Sequence, residues 1–228
     1  MSRRRTRPAA LALSLAVILV PAWACGQKSG PSSRPAKPTK APEATETFQL
    51  EAGAGEAIAT FAGGCFWCSE ASFEKTPGVV DAVSGFTGGK EVDPTYKDVA
   101  YGRTTHREAV RVRYDPKQIT YEALLEAYWR HIDPTDGGGQ FADRGGHYSP
   151  AIYVHDPAQR AAAEESKQAL ANSKKFSKPI AVEILEVAPF YAADAGHQNY
   201  HRTNAEHYKR YFTGSGRAAY IAEVWGKP

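Results

Sequence analysis

The sequence predicts an α+β domain built as a two-layer sandwich, a mixed sheet covered by helices on one side. Two observations carry this prediction. Short apolar segments alternate with helical ones over short connections. Residues 107–114 also alternate with a period of two, as a strand with one covered face requires, whereas a strand buried on both faces reads as a continuous apolar run.

The elements follow in order. Ala57–Phe61 is a short apolar run ended by Gly63-Gly64 and reads as a strand. From Cys65 to about Lys75 the pattern is helical and stops before Pro77. Val79–Phe86 is a second strand, closed by Gly88-Gly89. In 107–114, Glu108, Val110, Val112 and Tyr114 share one face, and Arg107, Arg111 and Arg113 share the other. The Glu108 carboxyl therefore points where the valines point, towards the core. Thr120 is an N-cap candidate for a helix to about Ile132, with Leu124, Leu125, Tyr128 and Trp129 as its apolar positions. Ala151–Val154 reads as a strand, Pro157–Asn172 as a helix and Ile180–Val187 as a strand. The tail is rich in Gly, Tyr and His, with a helix near Asn199–Tyr211. No internal repeat is visible, and about 180 residues suffice for one core.

Ahead of this domain, residues 1–25 read as an export signal. Arg3, Arg4, Arg5 and Arg7 precede an apolar stretch of roughly sixteen residues, Ala9–Ala24. A membrane-spanning helix needs ~20, so the pattern favours a cleaved signal over a permanent anchor. The stretch ends in Ala22-Trp23-Ala24-Cys25, similar to a bacterial lipoprotein cleavage site, which makes Cys25 a candidate for lipidation. Residues 26–47 are rich in Pro, Ser, Lys, Ala and Gly without apolar periodicity, the composition of a disordered linker. The formal charge of +3 is misleading, because 20 of the 28 basic and 23 of the 25 acidic residues fall in 48–228. A domain near −3 lacks the basic balance of a nucleic-acid reader.

The chemistry concentrates in Phe61-Ala62-Gly63-Gly64-Cys65-Phe66-Trp67-Cys68-Ser69-Glu70. A cysteine that opens a helix meets unsatisfied N–H groups and the positive end of the helix dipole, and both favour the reactive thiolate. Phe66 and Trp67 beside it offer an apolar wall suited to a thioether or methyl group.

This segment resembles the signature of the A-type methionine sulfoxide reductase family. The similarity continues in order through Pro77-Gly78-Val79, Gly85-Phe86-Thr87-Gly88-Gly89, Pro94-Thr95-Tyr96, His106 and Glu108-Ala109-Val110. It reappears at Tyr114-Asp115-Pro116, Asp133-Pro134, Asp143-Arg144-Gly145, Tyr148 and His197-Gln198-Asn199-Tyr200, covering essentially all of 56–225. The resemblance implies a ferredoxin-like core with long loops and an extended C-terminal tail. It implies reduction of the S epimer of methionine sulfoxide, peptide-bound or free, without metal or cofactor; nothing in the sequence demands assembly, so a monomer is expected. Cys65 would attack the sulfoxide sulfur and Glu108 would protonate the oxygen. Tyr96 and Tyr148 would hydrogen-bond to that oxygen, Phe66 and Trp67 would hold the methyl group, and Asp143 would support the pocket near Tyr148. The product at Cys65 is a sulfenic acid, which a thiol condenses with to form a disulfide. Cys68 is the other thiol of the folded domain and the candidate resolving residue. Thioredoxin or a similar external thiol would complete the cycle, outside the cytoplasm if the leader exports the chain.

Two other readings compete. Cys65-x-x-Cys68 at a helix start is the spacing of a thioredoxin-like dithiol oxidoreductase. A zinc module would combine Cys65 and Cys68 with two of His197, His201 and His207, although these spacings match no compact module.

Overall fold

The structure, a computed structural model, describes residue 48 and residues 50–226. The candidate export signal, Cys25 and the linker to residue 47 lie outside the described residues.

The chain runs β1 (Ala57–Ala62), α1 (Phe66–Phe73), β2 (Val79–Thr87), α2 (Tyr96–Ala100), β3 (Arg107–Tyr114) and α3 (Tyr121–His131). A two-stranded ladder follows, β4 (Gly139–Gln140) with β5 (Asp143–Arg144), then β6 (Ala151–Val154), α4 (Pro157–Asn172), β7 (Glu183–Glu186) and β8 (Phe190–Ala192). The tail forms α5 (Tyr200–Thr203), α6 (Ala205–Gly214) and α7 (Arg217–Trp225). The main sheet has the order β7-β6-β1-β3-β2-β8. Only β6 and β7 pair in parallel; the other neighbours are antiparallel. Its central strands β6-β1-β3-β2, with α1 between β1 and β2 and α3 between β3 and β6, give the ferredoxin-like α+β arrangement.

Local chemistry starts and stops the helices where the sequence places them. Thr120 Oγ1 accepts from the Ala123 N–H at 3.3 Å, and Asp156 Oδ1 accepts from the Gln159 N–H at 2.8 Å ahead of Pro157. Each satisfies a donor that the first turn leaves orphaned. Leu124, Leu125, Tyr128 and Trp129 are buried as the periodicity requires. They meet Phe61, whose ring stacks on Phe73 at 4.9 Å and Tyr128 at 5.1 Å. The Tyr128 hydroxyl donates to the Ala62 carbonyl at 2.8 Å, fixing the last residue of β1 just ahead of the site.

Several features depart from the sequence reading. The sheet's second face is also covered in part. A smaller cluster including Val83, Tyr153 and Phe190 gathers there, with Phe48 and Leu50 packed against it. Arg111 and Arg113 on this face are only 9% exposed. Arg111 lies over Phe190, 4.8 Å from the ring centroid, and Arg113 pairs with Glu56 and Asp81. Long cationic stems bury their methylenes well when the head finds a partner. The strand expected over 180–187 is shorter, the helix expected near 199–211 breaks at Asn204, and α2, β8 and the β4–β5 ladder have too few residues to show a period.

Candidate active site

Cys65 occupies the N-cap of α1, where β1 turns through Gly63-Gly64. Gly64 has φ +80°, and a Cβ there would stand 2.5 Å from Gln140 Cβ, so the turn requires glycine. Gln140 is held in place by Asp133 and by the Asp136 carbonyl. The loop after α3 thereby buttresses the turn that aims the sulfur.

The side chain of Cys65 does not cap α1; Glu108 approaches the helix end instead. Its Oε2 accepts from the Phe66 N–H at 3.0 Å, which brings the carboxyl of β3 to the residue beside the sulfur. Glu108 is 2% exposed. Burial drives its pKa up to about 8 against the opposing hydrogen bond from Phe66. The desolvation cost wins, and the group is an acid with a proton to give at neutrality.

The cysteine departs from expectation. Instead of being readily ionised by the helix end, the Cys65 thiol is pushed well up, first by burial and then by Cys68 and Glu108. Cys65 is 5% exposed and Cys68 2%. Cys68 sits one turn further, its N–H donating to the Cys65 carbonyl at 3.1 Å, and the two sulfurs share a hydrogen bond that favours the anion on Cys68. Sequence position supplies the dipole; the depth of the site supplies the larger and opposite effect.

Tyr96 opens α2, Tyr148 ends the short turn Gly146–Tyr148, and Asp143 lies in β5. The structure brings all three to Cys65 and Glu108. Burial raises both tyrosines, Tyr96 to about 12, and the charges of Glu108, Cys65 and Asp143 add to it. Both hydroxyls therefore remain neutral donors. Phe66 is buried among Phe86 at 5.7 Å, His197 at 5.4 Å and Tyr96 at 6.3 Å. Trp67 is half-buried under the tail. Tyr200 stacks on it at 3.8 Å and 6°, and its Nε1–H donates to His197 Nδ1 at 3.2 Å.

The tail supplies residues that the sequence reading did not single out for catalysis. Tyr211 donates to Asp143 Oδ2 at 2.5 Å and also lies within hydrogen-bonding reach of Cys65. A hydroxyl has one proton, so a Cys65 thiolate competes with Asp143 for it. Glu70 of α1 accepts from the Asn199 N–H at 3.0 Å, tying the tail to the nucleophile's helix. The hints in the sequence were the Tyr- and His-rich composition of the tail and its His197-Gln198-Asn199-Tyr200 run, because partners more than a hundred residues apart leave no spacing to read. The histidines do not assemble with the cysteines. Among the described residues no cluster of His, Cys, Asp or Glu is placed to hold a metal ion, and His201 pairs with Glu74.

A thiol pair, a protonated carboxyl and an aromatic lining, mounted on a ferredoxin-like sheet, define an oxidoreductase that works through cysteine. The sequence profile described as peptide methionine sulfoxide reductase matches residues 57–228. The chain belongs to the peptide methionine sulfoxide reductase family. It is 54% identical to the peptide methionine sulfoxide reductase MsrA of Bacillus pumilus over 168 residues, 74% of this chain and 94% of the relative. It is 53% identical to that of Bacillus subtilis over 169 residues, 74% and 96% of the respective chains. Similar solved structures include reduced Mxr1 of Saccharomyces cerevisiae, with TM-score 0.64 and 30% identity over 69% of this chain and 94% of that one. Methionine sulfoxide reductase A of Corynebacterium diphtheriae gives TM-score 0.60 and 34% identity over 67% and 77%.

Proposed function

We propose that the chain reduces the S epimer of methionine sulfoxide, in peptides or free, to methionine. The observation that carries the mechanism is the Glu108 carboxyl, protonated near neutrality and hydrogen-bonded to the N–H of the residue next to Cys65.

Sulfoxide oxygen is a poor leaving group until it is protonated. With the methyl group against Phe66 and Trp67, the oxygen faces Glu108 and the neutral hydroxyls of Tyr96 and Tyr148. Asp143 supports the pocket and holds Tyr211. Cys65 passes its proton to Cys68 and attacks sulfur, and Glu108 protonates the oxygen. The hydroxyl ends on Cys65 as a sulfenic acid and the thioether leaves. Cys68 then attacks the Cys65 sulfur, an S–S bond replaces the S–O bond, and water departs. An external dithiol of the thioredoxin type reduces the disulfide by exchange.

The same reading makes residues 1–25 an export signal, Cys25 a lipid attachment point and 26–47 a tether, so a monomeric domain works outside the cytoplasm of a bacterium. The basic start, the length of the apolar stretch and the Ala24-Cys25 junction support it.

The test is an assay of separated R and S methionine sulfoxides with dithiothreitol. Turnover confined to the S epimer, and abolished in Cys65→Ser, is expected; equal turnover of both epimers rejects the reading. Mass spectrometry after one turnover without reductant should find a Cys65–Cys68 disulfide. A persistent sulfenic acid with free Cys68 would exclude Cys68 as the resolving thiol.

A further inference from the structure

The β4–β5 hairpin turns through Phe141 and Ala142, between the paired residues Gln140 and Asp143. Phe141 takes φ +55°. Two-residue turns reserve a positive φ at this position for glycine, and a bulky side chain adopts it only where the surroundings override the strain. Here α7 supplies those surroundings. The Arg217 guanidinium carbon lies 4.5 Å from the centroid of the Phe141 ring, and the Tyr220 ring meets it edge-on at 5.3 Å. Three residues apart, Arg217 and Tyr220 share one face of the helix. Arg217 is fully buried. Its Nη1 donates to the His131 carbonyl and its Nη2 to the Gly63 carbonyl at 3.2 Å, two residues before Cys65. A planar, forked cation can grip two carbonyls and still offer a face to a ring.

On the far side of the turn, Asp143 accepts from Tyr211, whose ring stands edge-on to Trp67 at 5.9 Å. Other bonds hold the flanks of this loop. The Gly145 N–H donates to the Gly138 carbonyl at 3.1 Å, and the Ser149 hydroxyl to the Gly137 carbonyl at 2.8 Å. Neither reaches the tip. One guanidinium thus ties the turn that aims Cys65 to the tip of the hairpin that carries Asp143.

We propose that Phe141 is a positioning residue: its ring, seated on Arg217, keeps the hairpin in register with the Cys65 turn, so that Asp143 sets Tyr211 against Trp67 where the sulfoxide is received.

The inference rests on the reductase reading and adds to it. Phe141 acts through Asp143 and Tyr211, so it bears on the sulfoxide step. Closure of the Cys65–Cys68 disulfide takes place within α1 and its N-cap and does not need the hairpin in register.

Phe141→Gly is the variant of choice, because glycine enters the left-handed turn freely and only the ring is lost. In single-turnover kinetics with methionine S-sulfoxide, the full-length variant should form methionine ~10–10²-fold more slowly than wild type, the scale of a displacement of about an ångström. Phe141→Leu, which keeps apolar bulk but no aromatic face, should also be slower, and Phe141→Tyr should keep the wild-type rate. Disulfide closure after oxidation of Cys65 by hydrogen peroxide should be unchanged in all three. Phe141→Gly combined with Tyr211→Phe should be no slower than the slower single variant, because both changes break one chain of contacts. A wild-type sulfoxide step in Phe141→Gly or Phe141→Leu overturns the proposal. So does a loss in Phe141→Tyr as large as in Phe141→Gly, a fully additive double variant, or equal slowing of the sulfoxide step and of disulfide closure, which would mark general damage to the fold. A wild-type chain inactive on the sulfoxide would reject the reductase reading, and the proposal with it.

Discussion

Burial and the helix terminus pull the Glu108 carboxyl in opposite directions. The Phe66 N–H stabilises its anion, but the loss of water around a group 2% exposed costs more, and the pKa rises to about 8. An acid catalyst must hold its proton, so the rate of the first turnover should fall as pH rises through about 8. Glu108→Gln keeps the shape and removes the proton. Single-turnover kinetics should show a loss of ~10²–10⁴ in rate, and the fall near pH 8 should vanish with it. An unchanged rate would remove Glu108 from the mechanism. Tyr211 works at the same scale. Tyr211→Phe deletes the bond to Asp143 and the contact with Cys65. That hydroxyl favours the Cys65 thiolate, so alkylation of Cys65 should then be several-fold slower than in wild type, as read by peptide mass spectrometry; an unchanged rate would show that this hydroxyl does not stabilise the thiolate.

Between elements, Glu70 joins α1 to the tail through Asn199, and its Oε2 is buried without a partner. Burial raises its pKa from 4.5 to about 8. The folded state thus binds a proton that the unfolded chain releases. Its stabilising effect is complete below pH about 4.5 and is lost as pH rises through about 8. Each unit of that window corresponds to ~1.4 kcal/mol. Glu70→Gln carries no such proton. Its unfolding free energy should therefore decline less between pH 5 and 9 than that of wild type, by on the order of a few kcal/mol. Parallel curves from denaturant titrations would contradict the assignment. The α1 helix itself was legible, since glycines, cysteine and proline mark its ends. In the tail the helix near Asn199–Tyr211 was legible, but its break at Asn204 and α7 were not, because they are set by distant contacts such as Glu70–Asn199 and Arg217–Gly63.

For the whole molecule, every side chain assigned to the site falls between Cys65 and Arg217, and the family match begins at residue 57. A chain starting at Phe48, which keeps the packing of Phe48 and Leu50 on the second sheet face, should retain reduction within about twofold in the dithiothreitol assay. A large loss would show that residues 1–47 contribute to the site. The sequence by itself determined the fold class, the nucleophile at a helix start, and the carboxyl on the valine face of β3. Each is a local pattern: a period of two, a period near 3.6, or a glycine pair at a turn. Only the tertiary structure decided how those groups are tuned. Closure of the tail over Cys65 reverses the ionisation expected from the helix end, because desolvation of a buried thiol exceeds the influence of one short helix. It also sets Arg217, 149 residues beyond Cys68, beside the same turn. Neither effect has a sequence period, since each depends on which distant surfaces exclude water from one pair of sulfur atoms.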